Sequence, residues 1–395
     1  MFTLPATTTP GGLMFADNPL WVDYTDIIDD DPPISGFPFI IKQAGKQIFE
    51  GRFNTPMHLN IAPVIRAAVS PLPVPADGDY HIGPFYIAED EDQMQDRLFE
   101  ADFNGGLISR AVYALPGGAS KHLTNQSAAG ANIFTNRFLA SGNRFMTVRS
   151  ADLLLAVRES ELSPLYFIND ADSLTVTIEA EGAARPMVGS GLDKGIWTLN
   201  PVAMRRLFAD RDKRIYSVFR ITFGEGRSCC LVIEETPAAP NLCSLKFRNS
   251  LGVFELLDLY GPDSTQWEQD SESDSDGAIS RYVSKYDDFE RTTIRKQLRR
   301  CWQFATGQIA DDRLRLVLDA VSSEETYLAG IDPVPVRVTV EVEEAELAER
   351  TRQPQQLTLT LRESLSESHL MPVTEWADQS QGFRTFDACF NDVFG

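Results

Sequence analysis

The chain has 395 residues and a net charge of −21, from 36 basic and 57 acidic side chains. Its length predicts two or three domains, and its content of 43% apolar and 24% charged residues is typical of globular proteins. The acidic balance argues against nucleic acid and anionic membrane surfaces as partners, because both bind clustered Lys and Arg.

The first predicted module covers residues 1–125 and consists of strands separated by turn residues. Its strand candidates are apolar and aromatic runs at Phe37–Lys42, Lys46–Phe53, the start of His58–Val69, Tyr80–Ala88 and Leu107–Leu115. The first two predict a hairpin around Gly45, and the end of the third predicts a short helix. Strands at this spacing, separated by Pro and Gly, indicate a β-sandwich.

The second predicted module covers residues 133–240. Its strand candidates are Arg144–Val148, Pro164–Phe167, Leu174–Ala180, Ile196–Leu199, Ile215–Phe223 and Cys229–Glu235. Apolar and polar side chains alternate along Ser173–Glu179 with a period of two, which predicts a strand with one buried and one solvated face. Only Pro201–Ala209 in this region predicts a helix. The module is therefore a second β-sandwich candidate.

The third predicted module, residues 241–395, opens with a hairpin at Ser244–Gly261. Asn249 and Gly252 are predicted to supply its turn, since both residue types tolerate turn backbone conformations. In the strand after the turn, both faces are mostly apolar. This pattern predicts a strand buried between layers or at a module junction.

An acidic loop is predicted at 263–276, which holds six carboxylates and no basic residue. Five basic side chains follow between Arg291 and Arg300, on a strand or a helix, and form a charge-complementary pair with the loop. An intramolecular pairing is favoured over one between subunits. The remaining predicted elements are a helix at Ile309–Val321, strands at Val334–Val342 and Gln356–Arg362, and a tail at Asp378–Gly395 pinned by phenylalanines. The fold class is mainly β, with β-sandwich modules and a few short α-helices.

Catalytic motifs are missing from the sequence. The four histidines are widely separated, and neither a GxSxG nucleophile elbow nor a Walker GxxxxGK[ST] loop is present. The glycines of Gly189–Gly195 do not have the spacing of a dinucleotide-binding motif. We therefore predict a protein that is not an enzyme and has no cofactor; a hydrolase interpretation has no identifiable residues.

A calcium site is one alternative for the acidic segment. Glu272, Asp274 and Asp276 place oxygen ligands at alternating positions before Gly277, as at the start of a calcium loop. The twelfth position is Val283 instead of the bidentate Glu that such a loop needs. The pattern favours a solvated acidic loop over a metal site.

Carbohydrate binding is the second alternative. Trp267 lies in the acidic segment and is the tryptophan most expected to be exposed, and Asp270 follows it closely. An exposed aromatic ring beside a carboxylate is a common platform for a sugar. These two residues are the candidate binding site under this interpretation.

The five cysteines form an odd set without a CxxC pair, which predicts buried free thiols instead of a disulfide framework or a zinc site. The N-terminal residues lack the basic and apolar regions of a secretory signal, and no window approaches the length of a membrane span. We expect either synthesis in a cytoplasm or a chain that is already processed, and no membrane insertion.

Several weak signatures occur in a recognisable order along the chain. They are Asn18–Val22, Gly51–Phe53, Phe103–Ser109, Asn249–Glu255, Gly261, Thr306–Gln308, Ser322–Ser323, Thr326–Leu328 and Pro335–Val336. This order resembles tail-associated virion proteins of phages and prophages of gut Bacteroidales bacteria. The resemblance covers most of the chain as a loose pattern and implies no catalytic residue.

The resemblance implies β-sandwich modules assembled into a phage tail or baseplate. The expected function is a non-enzymatic structural component that acts through protein–protein contacts. Its expected partners are other tail or baseplate proteins and further copies of itself, and its expected location is the virion, after synthesis in the bacterial host cytoplasm. A carbohydrate-binding or adhesion protein is the alternative function.

Overall fold

The computed structural model describes residues 13–23, 36–53, 58–73, 83–103, 108–118, 144–149, 153–169, 171–239, 241–262, 265–274, 292–307, 311–342 and 356–364. Contacts divide the chain into two compact units. Unit 1 comprises residues 1–236 and 248–255, and unit 2 comprises residues 237–247 and 256–395. The predicted modules 1–125 and 133–240 fall in unit 1, apart from residues 237–240.

Unit 1 contains fifteen strands and three α-helices in its described part. The strands are β1 (Leu13–Phe15), β2 (Trp21–Asp23), β3 (Phe37–Gln43), β4 (Lys46–Phe53), β5 (His58–Asn60), β6 (Phe85–Glu89), β7 (Leu98–Phe103), β8 (Ile108–Leu115), β9 (Leu154–Arg158), β10 (Leu165–Asn169), β11 (Leu174–Ala180), β12 (Met187–Leu192), β13 (Gly195–Leu199), β14 (Val218–Phe223) and β15 (Ser228–Glu234). The helices are α1 (Ala62–Ala68), α2 (Glu91–Met94) and α3 (Pro201–Asp212).

The strands of unit 1 form four sheets. A five-stranded sheet has the order β1-β8-β7-β3-β4, and a small sheet pairs β2 with β5. A three-stranded sheet has the order β10-β13-β6, and a second five-stranded sheet has the order β12-β11-β14-β15-β9. The predicted hairpin around Gly45 forms, with β3 antiparallel to β4.

The three-stranded sheet is the central layer of unit 1, because every residue of β10 and β13 is buried. Side chains of a strand alternate between its two faces. Phe167 accordingly packs in a core with the β12–β9 sheet, whereas Tyr166 and Ile168 pack in a different core with Val253. A third core lies between the β1–β4 sheet and α1. The continuous apolar runs of β10 and β13 follow from this double burial.

Helix α3 starts at Pro201, as the sequence predicts, and ends at Asp212, three residues beyond the predicted end at Ala209. The side chain of Asn200 caps its first turn by accepting hydrogen bonds from the backbone N–H groups of Val202 and Ala203. Pro201 occupies the first turn, where a missing N–H costs nothing. Met204 and Phe208 are its buried residues after Pro201, so the helix covers one side of the core.

Unit 2 is a barrel rather than a two-sheet sandwich. Its strands are β16 (Leu242–Arg248), β17 (Phe254–Tyr260), β18 (Thr265–Asp274), β19 (Thr292–Ala305), β20 (Thr326–Ala329), β21 (Val336–Glu341) and β22 (Thr358–Glu363). The sheet order is β17-β16-β20-β21-β22-β19-β18, and β17 also pairs with β19. This last pairing closes six strands into a ring and leaves β18 outside it, as an extension of the sheet. The predicted mainly-β class is confirmed.

One helix of unit 2, α4 (Asp311–Ser322), begins two residues after the start of the predicted range Ile309–Val321, ends one residue beyond it, and contacts β21. Its buried residues are Leu316, Val317 and Ala320, whereas Leu318 is exposed. The helical spacing of Leu314, Val317, Leu318 and Val321 predicts that they share one buried face, whereas only Val317 of these four is buried. In the described part of the chain, no helix has the length and apolar character needed to cross a membrane.

The cysteines that the structure describes are free thiols, as the sequence predicts. Cys229, Cys243 and Cys301 are buried, and Cys230 is partly exposed. Cys229 and Cys230 lie next to each other in β15, so their side chains point to opposite faces. Burial raises the pKa of the Cys229 thiol from 9.0 to about 12.

Native-state alkylation is expected to distinguish these two neighbours. At pH 8 the thiolate fraction of Cys229 is about a thousandfold below that of an unperturbed thiol, because each pKa unit is a factor of ten. We expect iodoacetamide to modify Cys230 at least about tenfold faster than Cys229, and Cys229 to stay protected at pH 9. Fragment-ion mass spectrometry of the peptide that holds both residues measures this, and urea-unfolded protein is the control. Equal rates in the native protein would contradict the burial of Cys229.

Candidate functional site

The acidic segment of unit 2 is an edge strand and not the loop predicted from its composition. Strand β18 pairs with β19 antiparallel along its whole length of 10 residues. The register sets Glu268 opposite Arg299. Opposite charges at cross-strand positions stabilise a sheet. The composition predicted a loop because the segment is rich in acidic and small polar residues, and its strand conformation depends on pairing with β19.

Trp267 is half exposed on this edge strand, with 50% of its side chain accessible. Its register partner on β19 is Arg300, and on its other side β18 pairs with no strand among the described residues. Asp270, the second residue of the predicted sugar site, follows on β18, but its side chain lies outside the described part. An exposed aromatic ring beside an open strand edge is a surface suited to contacts with another molecule.

The three predicted calcium ligands do not all fall in the described part of the chain. The backbone of Glu272 and Asp274 is extended in β18, and Asp276 lies outside the described residues. Among the side chains that the structure describes, no group of three or more His, Cys, Asp or Glu lies together as a metal site requires. The calcium alternative stays a prediction.

Arg300 on β19 is paired within the chain. Its Nε and Nη2 donate to the two carboxylate oxygens of Glu363, at 2.8 and 3.0 Å, and its Nη1 lies 2.7 Å from an oxygen of Asp332. These hydrogen bonds, to Glu363 above all, raise the pKa of Arg300. The guanidinium also lies over the ring of Trp302, 5.1 Å from its centroid. This basic residue is therefore held by its own unit.

The acidic strand is held in the same way. Arg362 on β22 donates from Nε to Glu268 at 2.8 Å and also forms an ion pair with Glu341. The ion pairs of Glu268 and Arg300 are therefore intramolecular, but their partners Arg362, Glu363 and Asp332 lie outside the two predicted charge runs, so the pairing of the runs with each other stays a prediction. Sequence reasoning missed Arg362 and Glu363, since neither lies in a charge run and only the barrel closure brings them to β18 and β19.

The predicted turn residues Asn249 and Gly252 stand at the tip of the β16–β17 hairpin. The backbone N–H groups of Leu251 and Val253 donate to the Asn249 side-chain oxygen, at 3.0 and 3.1 Å. The Asn249 side-chain nitrogen donates to the carbonyl of Met146 at 3.2 Å. Asn249 is 3% exposed. Its buried side chain both organises the turn and binds it to Met146, which belongs to the same unit.

A cluster of buried charges lies on the same side of unit 1, and the sequence does not reveal it. Arg149 donates to Glu161 at 2.7 Å, and its Nε lies 3.9 Å from an oxygen of Glu255. All three side chains are 4% exposed or less. A signal is present in hindsight: Glu255 is a charged residue in an otherwise apolar strand, where burial requires a partner.

Strand β17 agrees with the apolar pattern on both of its faces, because Glu255–Leu259 are all buried. Strand β16 alternates, with Cys243, Leu245 and Phe247 buried. The hairpin is therefore a structural element whose tip is held by specific polar contacts.

No protein-family model matches the chain, and no curated protein sequence matches it either.

Proposed function

We propose that the chain is a non-enzymatic structural component of a phage or prophage tail or baseplate and acts through protein–protein contacts. The order of the sequence signatures supports this proposal. The observation that carries it is the open edge of β18, a 10-residue strand with a half-exposed tryptophan and no second strand partner in the described part of the chain.

Such an edge presents unpaired backbone N–H and C=O groups to which a strand of another molecule can add. The acidic side chains of the strand oppose pairing with a second copy of itself, because like charges directly opposite destabilise a sheet. The expected contacts along this edge are therefore with other tail or baseplate proteins. In a homo-oligomer, copies of the chain would contact each other through other surfaces. A closed symmetric assembly requires that these surface patches be complementary.

The location of the chain can be tested in particles from the bacterial culture that encodes it. After prophage induction, we expect the chain to sediment with tail-containing particles and to remain there after washing in moderate salt. Quantitative mass spectrometry of the gradient fractions measures this. A chain that stays in the soluble fraction while tail proteins sediment would contradict the proposal.

Trp267→Lys is expected to lower the amount of chain per particle by about 30-fold, since loss of an interface tryptophan typically costs about 2 kcal/mol or more. Val188→Lys is the matched control, because Val188 is also an exposed apolar residue on an edge strand, at 54%, but lies on β12 in unit 1. The two variants should fold equally well. Equal incorporation of both would remove the β18 edge as the contact surface.

A carbohydrate-binding or adhesion function is the second candidate, and the half exposure of Trp267 is the observation that favours it. A glycan array distinguishes it from the first. Under this second proposal the wild-type chain binds glycans and Trp267→Ala abolishes the signal. Binding that survives this change would remove Trp267 as the sugar platform.

A further inference from the structure

The barrel of unit 2 has a pocket at its seam. Strands β17 and β19 are paired only at Tyr260 and Ala305, so a single residue pair joins them. A pocket of about 360 Å³ lies beside this point. Its lining includes Asn241, Tyr260, Gly261, Gln303 and Thr358.

The lining is neutral, polar and aromatic. None of the described residues that line the pocket carries a charge. Asn241, Gln303 and Thr358 are exposed there, and their side chains make no hydrogen bond within the described part of the chain. Two carboxamides and a hydroxyl thus offer donors and acceptors to a ligand, beside the ring surface of Tyr260.

The walls of the pocket are fixed by the surrounding backbone. The Gly261 N–H donates to the Asn241 carbonyl at 3.0 Å, which holds the two rims together. Gly307 lies against the Tyr260 ring so closely that a Cβ at this position would stand 2.5 Å from a ring atom. Tyr260 is therefore supported from one side, and little rearrangement is needed before a ligand binds.

We infer that this pocket binds a neutral sugar residue. Amide and hydroxyl groups exchange hydrogen bonds with sugar hydroxyls, and an aromatic ring packs on the apolar face of a pyranose. The pocket volume is at the lower end of the range for ligand sites, which suits a single sugar unit. The absence of lining cations and the net charge of −21 disfavour acidic sugars. The inference does not depend on the assembly role, and the site is distinct from Trp267.

Saturation-transfer NMR on the full chain tests this inference. The probes are D-glucose, D-galactose, D-mannose, L-fucose and N-acetyl-D-glucosamine, and D-glucuronic acid is the acidic comparison. We expect at least one neutral sugar to receive saturation and glucuronic acid to receive none. The same titration is then run on Asn241→Ala and Gln303→Ala, with Gln266→Ala as a matched control on exposed β18.

Each pocket variant should weaken binding about fivefold to tenfold, the effect of one lost neutral hydrogen bond, and the control should leave it unchanged. No transfer to any neutral sugar in the panel would overturn the inference. Binding that is insensitive to both pocket variants would overturn it as well. Binding abolished by Trp267→Ala but not by the pocket variants would instead support a sugar platform on β18.

Discussion

Arg149→Leu is expected to destabilise unit 1 by about 3–5 kcal/mol, the usual cost of removing one partner from a buried ion pair. The guanidinium lies 2.7 Å from Glu161, which is fully buried, and 3.9 Å from Glu255, which is nearly so. Leucine fills much of the volume but leaves two buried carboxylates without this cation. Because burial strengthens electrostatic interactions and removes solvation, the loss is far larger than at the surface.

Hydrogen exchange with mass spectrometry measures this effect within unit 1. Peptides from β10 and β13, whose residues are all buried, report the free energy of opening. Arg220→Leu is the matched control, since Arg220 lies 3.7 Å from Glu179 and both side chains are more than half exposed. This change should cost less than about 1 kcal/mol. Equal effects of the two substitutions would mean that the Arg149 cluster adds nothing beyond a surface pair.

The local elements of the fold follow from the sequence, because their signals are local. The hairpin around Gly45 and helix α3 are set by residues next to each other, a turn glycine in one case and an Asn200 cap with Pro201 in the other. The apolar pattern on both faces of β17 likewise predicts a strand that is buried on both sides, and Glu255–Leu259 are buried. Composition and periodicity are sufficient to predict an element when its interacting residues are close in the sequence, or when burial alone determines which residues are apolar.

The sequence does not show directly which strands pair when they are distant from each other along the chain. The acidic segment becomes a strand because β19 lies beside it, and the barrel forms because β17 reaches β19 at Tyr260 and Ala305. The contact of β17 with β19 has no signature within the two segments, and the pairing of β18 with β19 is indicated only by the opposite charges of the two segments. The same holds for the candidate sites, since Asn241, Gln303 and Thr358 come from three distant parts of the chain and meet only in the closed barrel.

Gly252→Ala is expected to destabilise unit 1 by about 2–5 kcal/mol, from two separate causes. The backbone of Gly252 has φ = +85°, a left-handed conformation that costs a residue with a Cβ about 1–2 kcal/mol. In addition, a Cβ here would stand 2.3 Å from the Pro116 carbonyl oxygen and 2.6 Å from its carbon. These are backbone atoms that cannot rotate away, so the turn would have to move off residues 116–118 at a further cost of about 1–3 kcal/mol.

Gly191→Ala separates the two causes. Gly191 has φ = +73°, close to the value at Gly252, but no atom lies within 4 Å of an added Cβ. This control should therefore show only the backbone cost, about 1–2 kcal/mol. The difference between the two variants, measured by hydrogen exchange on the same unit 1 peptides, is the contribution of the close approach to Pro116. If Gly252→Ala costs no more than Gly191→Ala, the turn is not packed as tightly as its geometry requires. A larger cost would show that two factors restrict the sequence of the Asn249–Gly252 turn. These are its own backbone conformation and its contact with Pro116, which belongs to the same unit.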